Sequence, residues 1–110
     1  MKDKNPGNPD SSPESIRKAL KQVLDTAQWS WLLPHQNRGA VILVAAGLEL
    51  LEVAFKVATD DKLTIQSWID GQQLARATEE QLEAWKDISD KPFAVIVVQP
   101  YVLAQEKALH

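Results

Sequence analysis

Apolar and polar positions fall into blocks along this chain, and the spacing within each block predicts an element. Ile16, Ala19, Leu20, Val23, Leu24 and Ala27 recur at three- and four-residue intervals, with Arg17, Lys18, Lys21 and Asp25 on the other side. That periodicity predicts an amphipathic helix over 13–27. Ser12 before Pro13 supplies an N-cap with proline at the first helical position, and Ser11 with Glu14 forms a competing capping box. Residues 28–39 read as an irregular loop, because Pro34 biases Leu33 towards extended backbone and Gly39 punctuates its end. The short β-branched run Ala40-Val41-Ile42-Leu43-Val44 then predicts a buried strand.

The next block fits two periods. As a strand, residues 49–58 place Leu51, Val53, Phe55 and Val57 on one face. As a helix they offer Leu50, Val53, Ala54 and Val57. The period-2 match is the cleaner one, and Ala45-Ala46-Gly47-Leu48 would close a hairpin with the preceding strand. Thr59-Asp60-Asp61 reads as the cap and acidic first turn of a helix carrying Leu63, Ile65, Trp68 and Ile69, stopped by Gly71. Thr78-Glu79-Glu80-Gln81 is a full capping box, opening a short helix with Leu82 and Trp85 on one face. Phe93–Val98 predicts a strand buried on both faces. Pro100 cannot donate to a ladder, so the strand ends, bulges or becomes an edge there, and Tyr101–Ala104 continues it. The expected fold is α+β, with a small antiparallel or mixed sheet of about three strands packed against two to three helices.

Residues 1–13 hold three of the six prolines and no aliphatic side chain after Met1, so they are expected to form a disordered tail. Residues 14–110 are expected to form one globular domain, which suits a chain of 110 residues. With 45% hydrophobic and 25% charged residues, the composition is that of an ordinary globular chain and excludes wholesale disorder.

Charge and cysteine usage narrow the classes further. Twelve Lys and Arg against fifteen Asp and Glu give a net charge of −3, which argues against nucleic acid as a partner. Arg17, Lys18 and Lys21 are the one basic cluster and read as a solvated helix face. The absence of cysteine excludes disulfides, thiolate metal sites and cysteine nucleophiles, and suits a reducing compartment. No apolar stretch has the length of a membrane span and no secretory h-region follows Met1, so the expected location is cytoplasmic, away from any membrane.

The candidate chemistry is sparse. His35 and Arg38 lie three apart in the 28–39 segment, beside Trp29 and Trp31. A guanidinium is a planar two-pronged donor, and an imidazole donates or accepts near neutral pH, so the two together could hold an anion. Gln99 interrupts an apolar strand and either satisfies neighbouring backbone or faces a ligand. Ligand-binding candidates are therefore His35, Arg38, Trp31 and Gln99, against the simpler reading in which the tryptophans pin the segment to the core and the polar groups satisfy the protein's own atoms. No catalytic residue is assigned. Asp60 and Asp61 fit a helix cap better than a metal or acid–base pair. His35 and His110 are the only imidazoles, so no metal site and no cofactor are expected. Phosphate-loop and nucleophile-elbow motifs are missing, and Ser30, Ser67 and Ser89 stand in no recognisable catalytic setting.

The segments Trp29-Ser30-Trp31-Leu32-Leu33-Pro34-His35, Arg38-Gly39-Ala40-Val41-Ile42, Leu50–Ala54, Ser67-Trp68-Ile69 and Val98-Gln99-Pro100-Tyr101-Val102-Leu103 resemble a family of small bacterial proteins of unknown function. The likeness spans about residues 15–106, and Pro-His-x-x-Arg-Gly and Val-Gln-Pro-Tyr-Val-Leu are its most specific parts. It implies a stand-alone cytoplasmic protein and brings no catalytic residue with it. Two readings of function follow. One is a non-catalytic module that contacts a protein, or a second copy of itself, through the sheet edge near Pro100 or the Trp29–Arg38 segment. The other is a small-ligand binder or enzyme with Arg38 anchoring an anion and His35 as acid or base, which requires both to share one pocket with Gln99 or Asp60.

Overall fold

The computed structural model describes residues 12–107. The expected tail up to residue 11, the Ser11 capping box and His110 lie outside the described residues. Helix α1 spans Pro13–Val23, with the Ser12 side chain accepting from the Ser15 N–H at 3.1 Å. It ends four residues earlier than its apolar periodicity predicts. Leu24 turns extended, and Asp25–Gln28 become strand β1, which pairs antiparallel with Pro92–Val95. Four rungs of ladder outweigh one more turn of helix whose apolar side would face water.

The expected loop over 28–39 is instead helix α2, Trp29–Asn37, with Pro34 inside it. Its first N–H groups are satisfied from across the chain: Trp29 donates to Lys91 O and Ser30 to Ser89 O, both at 2.9 Å. Gly39 does not open the next strand but closes this helix. It sits at φ +76, its N–H donates to Gln36 O, and Ala40 N–H donates to His35 O, which is the Schellman pattern. Strand β2 follows at Val41–Val44.

Residues 49–58 are not a strand. They form helix α3, Leu50–Ala58, with Leu50, Val53, Ala54 and Phe55 buried. Ala54 and Val53 are both fully buried, and a strand would send these two neighbours to opposite faces. Arg17 explains part of the α1–α3 packing. Its guanidinium lies 3.9 Å from the Phe55 ring centroid and 3.1 Å from Glu52, so the basic cluster on α1 is partly committed to the fold. Helix α4 spans Lys62–Asp70 and strand β3 is Leu74–Ala75. Helix α5, Glu79–Trp85, carries the predicted Thr78–Gln81 capping box. Strand β4 is Pro92–Val98 and β5 is Tyr101–Glu106. Gln99-Pro100 is the turn between them, so β5 folds back on β4 instead of continuing it, and Gln99 is exposed.

The described residues form an α+β fold with five helices and a five-stranded mixed sheet, more than the three strands and two to three helices expected. The order is β1-β4-β5-β2-β3, with β2 and β5 parallel and the other pairs antiparallel. The two missed strands are short edges of four and two residues, too brief to announce themselves by periodicity. Helices cover both faces. Val44, Leu74, Ile96 and Leu103 pack with α1 and α3 on one side. Val41, Phe93, Val95, Val102 and Ala104 pack with Trp29, Leu32 and Trp85 on the other. Burial on both faces is why β4 reads as an unbroken apolar run.

Candidate functional site

Trp31, His35 and Arg38 form a ladder along α2. The Trp31 and His35 rings, four residues apart, lie 4.6 Å between centroids. Arg38, at the helix C-cap, donates from its guanidinium to His35 Nδ1. Accepting at Nδ1 leaves the neutral imidazole its proton on Nε2. Trp31 is 45% exposed, whereas Trp29 two residues earlier is buried against Trp85 and Phe93 at 5.0 and 5.9 Å. Trp85 is likewise core. His35 and Arg38 are thus brought together, but by a bond to each other on a helix.

Gln99 is placed elsewhere. It lines a cavity of about 940 Å³ between α4, β3 and the β4–β5 turn, together with Asp60 and Tyr101, and neither Trp31, His35 nor Arg38 reaches its walls. The cavity floor is apolar: Ile42, Leu74 and Leu103 from the sheet and Ile65 from α4. A second hollow of about 870 Å³ lies on the other side of β3, against Ala84 and Trp85 of α5. Arg76, just past β3, borders both. Its Nη1 lies 2.9 Å from where a Cβ on Gly39 would stand. Sequence reasoning missed Arg76. A single arginine in a polar stretch carries no signal until β3 brings it beside the α2–β2 corner.

The two aspartates diverge. Asp61 caps α4, accepting from the Thr64 N–H at 3.2 Å, and pairs with Lys56 at 3.4 Å. The Thr64 hydrogen bonds, with help from Lys56, hold its carboxyl below the usual aspartate range. Asp60 sits at φ 58 and faces Lys62 at 3.8 Å. Among the described residues no three His, Asp or Glu side chains converge as metal ligands. No helix there is long and apolar enough to cross a membrane.

Comparison with known proteins agrees with this architecture. The family model described as "Protein of unknown function (DUF2288)" matches residues 15–106. The NMR solution structure of PA1075 from Pseudomonas aeruginosa is similar, with 30% sequence identity and a TM-score of 0.72 over 94% of this chain and 97% of that chain. Among curated proteins none matches.

Proposed function

The chain belongs to the DUF2288 family of proteins of unknown function, and from that premise we propose that it is a non-catalytic module that pairs with a second copy of itself through the open half of β4. The register of β1 carries this reading. β1 covers β4 only from Pro92 to Val95, so Ile96, Val97 and Val98 have no strand partner on that side among the described residues. Free main-chain donors and acceptors on a sheet edge are a template for another strand. Protected edges carry charges or prolines, and Phe93–Val98 carries neither.

The surroundings favour association. Val23 and Leu24, just ahead of β1, are 54% and 44% exposed, and Val97 is 39% exposed. On the α2 side of the sheet, Trp31 and Leu33 are exposed as well. A second copy is the fitting occupant, because two antiparallel copies of one edge related by a two-fold axis near Val97 give each donor an acceptor and set apolar side chains against each other.

Sedimentation equilibrium over a concentration series tests the proposal. Reversible dimerisation is expected for the native chain, and Val97→Lys should be monomeric with unchanged helical circular dichroism. A native chain that stays monomeric throughout, or a Val97→Lys variant that dimerises equally well, overturns it.

A further inference from the structure

We propose that the cavity between α4 and the β4–β5 turn binds a small apolar molecule ending in a carboxylate, with Arg76 as its anchor. The inference is independent of self-association. The cavity volume, about 940 Å³, lies within the range of about 300–1,000 Å³ typical of small-molecule sites. Its floor offers only aliphatic carbon: Leu74 and Leu103 are 3% and 1% exposed, and Ile42 and Ile65 are half-buried beside them. Such a floor takes an apolar body, and the neutral polar groups, Gln66, Gln72, Gln99 and Tyr101, complete the lining.

The rim sets the charge. Its ionic groups are Asp60, Lys62 and Arg76. Asp60 and Lys62 face each other at 3.8 Å and offset one another. Arg76 has no carboxylate within ion-pair distance among the described residues, so the rim carries one uncompensated cation. Arg76 lines the cavity, and with no Cβ on Gly39 its guanidinium lies against the α2–β2 corner. One guanidinium presents one fork, which matches a single carboxylate in two parallel hydrogen bonds. A phosphate monoester carries about −1.5 to −2 charge at neutral pH, against −1 for a carboxylate, so one guanidinium offsets the carboxylate more completely.

Methyl NMR titration of the full chain with decanoate, decanol and decyl phosphate tests the assignment. Decanoate should shift the Ile42, Ile65 and Leu103 methyl signals saturably. Decanol should bind about tenfold more weakly, as expected when a charged hydrogen bond is lost. Arg76 is exposed, so Arg76→Gln should fold normally. It should lower decanoate affinity to that of decanol and leave decanol unaffected. No saturable shift, equal affinity for decanoate and decanol, or an Arg76→Gln variant with native affinity each overturns the proposal. Tighter binding of decyl phosphate than decanoate overturns the carboxylate assignment.

Discussion

Arg76 Nη1 lies 2.9 Å from the point a Cβ would occupy on Gly39, a residue held at φ +76. Two constraints therefore meet at one position: left-handed backbone at the end of α2, and close approach of a side chain from beyond β3. They differ in weight. The approaching atom is the far end of a flexible arginine and moves at little cost. The backbone conformation has no such escape, and a non-glycine residue there costs about 1–2 kcal/mol.

Gly39→Ala should therefore destabilise the protein by about 1–2 kcal/mol, and adding Arg76→Ala should not rescue it. Urea unfolding of both single variants and the double variant checks this. Recovery of native stability in the double variant would show that the side-chain clash, not the backbone, sets the cost.

The tryptophans at 29 and 31 should respond very differently to alanine. Trp29 is 2% exposed and packs edge-on against Trp85, so truncation should cost about 3–5 kcal/mol or abolish folding. Trp31 is 45% exposed and its ring lies tilted against His35, so its loss should cost under about 1 kcal/mol. Thermal melts of Trp29→Ala and Trp31→Ala decide the matter, and equal losses would contradict the helical assignment of 29–37.

Asp61 should contribute to the acid limb of stability. Its carboxyl is held below the ordinary aspartate range by the Thr64 hydrogen bonds and Lys56. The unfolded chain therefore binds the proton more readily than the folded one. The stabilisation is complete above the unfolded value of about 3.9 and is lost as pH falls through the lower folded value. Asp61→Asn keeps a capping oxygen but cannot titrate, so its melting temperature should fall less between about pH 5 and about pH 2 than that of the native chain. Parallel melting curves for the two proteins in that range would remove Asp61 from the account.

Much of the scaffold was legible in local pattern. Ser12 before Pro13, the Thr78–Gln81 box and the Phe93–Val98 run each act within one turn or one strand, and each lies where its chemistry indicates. Helix α2 was not legible: Pro34 and Gly39 read as loop punctuation, whereas Pro34 lies inside a helix and Gly39 closes it. Of the candidate site, His35 and Arg38 were found as a pair because they are three residues apart on one helix. Gln99 was placed with them although it lines a cavity that neither of them reaches, and Arg76 was not found, because both depend on contacts between segments far apart in sequence.

By itself, then, the order of residues determined where most helices and buried strands begin, their caps, and the α+β class, because those depend on hydrogen bonds and apolar spacing within a few residues. Tertiary structure decided the rest. Residues 49–58 satisfy both a period of two and a period of 3.6, and only the sheet surface beneath Val53 and Ala54 selects the helix. Asp25–Gln28 could extend α1 until the edge of β4 offers them a ladder. In both places the local preferences are nearly balanced, so the larger free energy of burial and pairing across the fold chooses between them.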